Sequence, residues 1–219
     1  MKQQAWPVTV LASLMMAAGL TACGGGSSSS NAPTLAVPAM SGAGVYAVSV
    51  TRGDELLAGK YYSAADGQAL VVLNGNNEKA ASIYSRESGE KKAWMASGGI
   101  ASDTAIVFAS TTVLNSAAMA LGEVAGTYVL LLADQSRAMF TVDASGKVSA
   151  GSSSCKISGQ FAKASVAQAV KIQLATTGCS GLPVSINGYA LQDSDYAPAV
   201  LRLVNADSNP SVDLWAFAG

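Results

Sequence analysis

Residues 126–150 read GTYVLLLADQSRAMFTVDASGKVSA, and this stretch decides the fold class. Segments 126–132, 138–142 and 147–150 are short runs that each carry β-branched or aromatic residues and are set off by turn residues, as strands are. Asp143-Ala144-Ser145-Gly146 lies between the last two as a tight reversal, built from residues that favour turns. Toward the C-terminus the same rhythm continues through 155–161, 167–175, 184–191, 199–205 and 212–217. In 199–205, Val200, Arg202 and Val204 oppose Leu201 and Leu203; such a strand is neither strictly two-faced nor fully buried, which suits a small barrel packed against a second element. Toward the N-terminus the expected strands are 44–50, 68–73, 80–84, 92–95 and 104–109. Tyr46, Val48 and Val50 share one face of the first, and Asn74-Gly75-Asn76-Asn77 follows the second as a hairpin signal. Long helical periodicity is absent; only 111–123, with Leu114, Ala117, Ala118 and Leu121 at helical spacing, allows one short helix. The expectation is an all-β protein, an antiparallel small barrel or sandwich with at most one short helix.

Gly44-Val45-Tyr46 and Gly126-Thr127-Tyr128 each open a strand-rich segment. This suggests two related β subdomains, 44–122 and 123–219, each of ordinary domain size. Simple hairpin composition would give the same pairing without a duplication.

Composition removes whole classes of function. The 219-residue chain carries a net charge of -1, has 12% charged residues and contains no histidine. Without a basic stripe it has nothing to track a phosphate backbone, so no nucleic-acid partner is expected. Without histidine there is no Ser-His-Asp or Cys-His catalysis, no imidazole zinc site and no histidine pH switch.

Residues 1–22 read as an export signal. A short start with Lys2 precedes an uncharged apolar run from Ala5 to Leu20, and small residues then lead to Cys23. The run falls short of the roughly 20 apolar residues of a membrane span before Gly24-Gly25-Gly26 ends it. Leu20-Thr21-Ala22-Cys23 resembles the lipobox of bacterial lipoproteins; the alternative is ordinary signal cleavage that leaves Cys23 a free thiol. The resemblance implies diacylglycerol on the Cys23 thiol, cleavage before it and an N-acyl chain on the new terminus. It also implies sorting to the outer membrane, since Gly24 rather than aspartate follows. Each buried methylene adds about 0.8 kcal/mol, so two or three chains hold the protein stably. The rest of 23–43 is a Gly/Ser-rich linker, whose twenty residues reach roughly 25 Å when flexible.

Three cysteines leave one over in an exported protein. With Cys23 lipidated, Cys155 and Cys179 remain, and an oxidising compartment makes a disulfide the expected outcome. A redox or metal-binding pair is the competing reading, but no Cys-x-x-Cys spacing accompanies them.

The residues that carry chemistry are sparse. There is no Gly-x-Ser-x-Gly elbow and no Gly-rich phosphate loop. Ser152-Ser153-Ser154 near Lys156 reads as a polar strand edge. Asp193-Ser194-Asp195 is the best carboxylate pair, yet a calcium loop needs more oxygen ligands than it offers. Neither a catalytic residue nor a metal site is assigned, and no cofactor is expected beyond the lipid on Cys23. Asp193, Asp195 and Tyr196, ahead of Pro198, form the candidate contact loop, with an ordinary polar connection as the alternative. Of the aromatics, Tyr46, Tyr61, Tyr62, Tyr84, Trp94, Tyr128, Phe140, Tyr189, Tyr196, Trp215 and Phe217 serve core packing or line a pocket. In outline the body is similar to small β-rich lipoproteins of Gram-negative bacteria, a resemblance that brings no catalytic residues. The expected protein is therefore a lipid-anchored envelope lipoprotein that binds a small ligand or an envelope protein without catalysis. Its alternative is a structural lipoprotein docked onto another envelope protein.

Overall fold

Strands dominate the computed structural model, which describes residues 32–219 apart from 90, 116 and 207–209. The signal segment 1–22 and Cys23 lie outside the described residues. The first half holds β1 (Leu35–Ala36), β2 (Gly44–Arg52), β3 (Glu55–Ser63), β4 (Ala69–Asn74), β5 (Ala80–Arg86), β6 (Met95–Ala96), β7 (Thr104–Ala105) and β8 (Phe108–Asn115). The second half holds β9 (Gly126–Leu131), β10 (Arg137–Val142), β11 (Lys147–Ala150), β12 (Lys156–Lys163), β13 (Ala169–Thr177), β14 (Ser185–Leu191), β15 (Ala199–Asn205) and β16 (Asp213–Ala218). The protein is all-β and mostly antiparallel.

β9 to β16 close into an eight-stranded barrel, sealed where β16 pairs with β9 and Ala216 stands opposite Leu130. Every second residue turns inward, and Leu130, Phe140, Ile157, Phe161, Ile172, Leu203 and Ala216 fill the lumen at 0–1% exposure. Eight strands give an interior that side chains can just fill, and here they do. β12 crosses β13 so closely at Gly159 (φ 146°) that a Cβ there would stand 2.1 Å from the Gln173 carbonyl oxygen. The Cys155–Cys179 disulfide sits just past the Lys156–Thr177 rung that ends the β12–β13 ladder.

The first half forms a six-stranded sheet in the order β6-β5-β4-β3-β2-β8. Its two faces are both covered. Val45, Tyr62, Leu70, Val72 and Ile83 pack onto the outer wall of the barrel, against Ala169, Tyr189, Leu191 and Val204. Tyr46, Val48, Leu57, Tyr61 and Val71 face the other way and are covered by Val37 and Ile106 with Trp94 and Phe108. Sheet and barrel belong to one compact unit, Pro33–Gly219. Part of the stretch read as linker joins it: β1 pairs in parallel with β7, because Val37 has an apolar site to fill.

The short helix allowed over 111–123 does not form. β8 occupies 108–115 and only a single 3-10 turn follows at Leu121–Val124. The β-branched run Thr111-Thr112-Val113 and the open edge of β2 outweigh the helical spacing. The two Gly-x-Tyr openings do share a geometry. The Tyr46 hydroxyl donates to the Gly42 carbonyl and the Tyr128 hydroxyl to the Val124 carbonyl, each at 2.9 Å and four residues back.

Candidate functional site

The loop 192–198 does not stand free. Asp193, 4% exposed at its side chain, accepts a hydrogen bond from the Lys60 ammonium at 2.5 Å, and Asp195, 65% exposed, takes the same ammonium at 2.8 Å. Lys60 belongs to β3, so these contacts fasten the loop to the six-stranded sheet. Asn74 at the end of β4 donates to the Tyr196 hydroxyl. A groove of about 290 Å³ lies between them, with Lys60, Asn74, Asp193, Tyr196 and Arg202 in its walls. Its ionic groups are already paired, Lys60 with Asp193 and Asp195 and Arg202 with Asp213. Among the described residues no three Asp, Glu or Cys side chains gather as a metal cluster would require.

Burial opposes the Lys60 charge, but hydrogen bonding and attraction from Asp193 and Asp195 outweigh it and hold its pKa above the ordinary 10.5. Burial raises the phenols of Tyr62 and Tyr189 as well. Both shifts have the same sign in linkage. A group whose folded pKa exceeds its unfolded value stabilises, or leaves stability untouched, below the unfolded pKa, and stability falls as pH rises beyond it. With no histidine in the chain, the thermal midpoint is expected to stay level from about pH 5.5 to 9 and to drop above about pH 10. Phenolate absorbance that rises well before the melting signal moves would contradict this.

The same contacts set the cost of losing the loop. Asp193→Ala removes the buried partner of a charged donor and is expected to cost about 1–3 kcal/mol in urea unfolding. Replacing Asp193, Asp195 and Tyr196 together should therefore lower the thermal midpoint, which a loop reserved for binding would leave unchanged.

Tyr196 leads to a second opening. Its ring lies 4.3 Å from that of Trp215 at 40°. The Arg202 guanidinium stands over both rings, 4.5 Å from Trp215 and 5.5 Å from Tyr196. Arg202 is held in turn by Asp213 through two bonds, Nε to Oδ1 at 2.7 Å and Nη2 to Oδ2 at 2.8 Å. Register explains the cluster: Arg202 pairs with Trp215 and Val204 with Asp213 across β15 and β16, so all point outward while Leu201 and Leu203 fill the lumen. Trp215 is thereby fixed as one wall of a cleft of about 480 Å³ at one rim of the barrel, where the β9–β10 and β13–β14 turns and the start of β16 meet the outer face. Leu131, Leu182, Leu214 and Phe217 extend the apolar lining, and Lys79 stands at the rim. Leu131 is 57% exposed.

Of the aromatics named from sequence, Tyr61, Tyr62, Phe140 and Tyr189 are core residues at 0–1% exposure. Trp215 and Phe217 are only half-buried and border the cleft. Arg202, Asp213, Lys60 and Lys79 escaped the sequence reading as site residues. Lys60 finds Asp193 133 residues away, Arg202 meets Asp213 only through the β15–β16 register, and the only local signal was an arginine inside an otherwise apolar strand.

The chain matches no known protein family, no curated protein and no solved structure.

Proposed function

We propose that this protein is a lipid-anchored envelope lipoprotein whose β body binds a ligand on its outer surface without transforming it. The carrying observation is a contrast within the barrel. The lumen is filled with side chains, whereas an open apolar and aromatic cleft of about 480 Å³ borders Trp215 at the barrel rim. That volume lies within the roughly 300–1,000 Å³ range of small-molecule sites, and an apolar lining with few polar groups is their usual chemistry. The lack of histidine and the internal pairing of Lys60 with Asp193 and Asp195 support binding over turnover. Leu20-Thr21-Ala22-Cys23 supports the anchor. Cys23→Ser is expected to give an uncleaved precursor or a chain without lipid. A Cys23→Ser product that still shows the mature mass plus acyl chains would refute the anchor, and fractionation of the native protein with the inner membrane would refute its sorting.

One observation favours the second reading, docking onto another envelope protein. β8 is an edge strand of eight residues, FASTTVLN, without a charge or proline, and Val113 is 66% exposed. Such an edge can accept an added strand. Thr112→Lys should then weaken capture of the partner while leaving the melting temperature in place.

A further inference from the structure

We infer that the Trp215 cleft takes a single acidic amphiphile, an unbranched acyl chain ending in a carboxylate or a comparable anionic head. The inference rests on the proposed binding role and specifies its ligand. The wall of the cleft is apolar and rigid. Ala216 opposite Leu130 sets Trp215 beside Leu131 on the outer face, and Phe217 follows two residues on. Trp215 cannot swing away, because Tyr196 backs one side of it and the Arg202 guanidinium holds the ring 4.5 Å from its charge. A fixed aromatic wall with an exposed leucine suits a slender apolar chain, which gains by removing that surface from water.

The rim of the cleft is charged. Asp213 also lines the cleft, but its carboxylate is taken by Arg202 and by the Ala80 amide at 2.6 Å. Arg202 is itself 2% exposed, so that pair is internally neutral and offers nothing to a ligand. The Lys79 ammonium has no ion-pair partner among the described residues. Of the charged side chains that line the cleft, Lys79 is therefore the one without an ion-pair partner among the described residues, and the neighbouring Asp134 carboxylate is occupied by Ser136 and Ser180; a cation beside an apolar trough complements a fatty acid rather than a neutral alcohol or a cation.

The test uses the mature chain 24–219, which contains the whole compact unit Pro33–Gly219 without the acylated cysteine. Trp94→Phe leaves Trp215 as its sole indole. Monomeric dodecanoate should shift Trp215 emission saturably, with one molecule bound per chain. Lys79→Gln should weaken dodecanoate by about three- to fivefold, the size of a partly exposed ion pair, and leave dodecanol unaffected. Leu131→Asp should abolish binding of both at an unchanged melting temperature, since Leu131 is mostly exposed. Equal affinity for dodecanol and dodecanoate, indifferent to Lys79, would overturn the acidic-ligand inference and leave an apolar binding cleft standing. Failure of both probes would overturn the cleft as a binding site altogether. Binding to anionic phospholipid vesicles without binding of dodecanoate would make the bilayer the source of the acyl chains and overturn the single-ligand inference.

Discussion

Asp213→Ala is expected to destabilise the protein by about 3–5 kcal/mol, the range found when one partner of a buried ion pair is removed. Arg202 is 2% exposed and Asp213 9% at the side chain, so the guanidinium would be left charged in a place water cannot reach. The same carboxylate accepts from the Ala80 amide, and Arg202 Nη2 reaches the Glu78 carbonyl at 3.4 Å. Both of those groups belong to the β4–β5 side of the sheet, so the substitution also loosens the seam between sheet and barrel. Urea unfolding measures the effect. Arg202→Met combined with Asp213→Leu separates the causes: the double variant should recover much of the loss, because an apolar pair of similar size leaves no charge stranded. A single variant within 1 kcal/mol of the parent would show that the pair is hydrated and that Trp215 is not held as described.

Breaking the disulfide has the second largest expected effect. Cys155 and Cys179 are 24 residues apart, and closing a loop of that size is worth about 3 kcal/mol on the chain-entropy model, within a usual 2–5 kcal/mol for native bridges. Cys155→Ser should lower the unfolding free energy by that amount and leave membrane attachment unchanged, since the bridge sits at the end of the β12–β13 ladder. Cys155 also packs in the barrel core at 1% exposure, so the serine adds a buried hydroxyl to the cost. Labelling of the unfolded, unreduced mature chain should find no reactive thiol from this pair.

How far the fold could be read in the sequence depended on where each strand finds its partners. In the barrel half the neighbours in sequence are neighbours in space, and alternation is strong, so β9, β10 and β11 fall within a residue of their expected limits. The Asp143–Gly146 turn is closed by its own residues, with the Gly146 amide on the Asp143 carbonyl at 2.9 Å and the Ser145 amide on the Asp143 carboxylate at 2.8 Å. β3 was invisible because Glu55, Gly59 and Lys60 interrupt its apolar pattern. Lys60 is accommodated there by Asp193, which stands 133 residues away. β8 looked partly helical because its competitor, the edge of β2, is more than 55 residues distant. The candidate loop was legible as a cluster of polar and aromatic groups. That it props Trp215 through Tyr196 depends on the β15–β16 register, which sets Arg202 opposite Trp215 and which the polar residues of the loop do not encode.

Chemical-shift mapping of the mature chain with dodecanol distinguishes binding in the rim cleft from binding inside the filled barrel. Shifts are expected at Leu131, Leu182, Leu214, Trp215 and Phe217, with Phe140 and Phe161 in the lumen unmoved. Shifts centred on those two phenylalanines would place the ligand inside the barrel and contradict binding in the rim cleft.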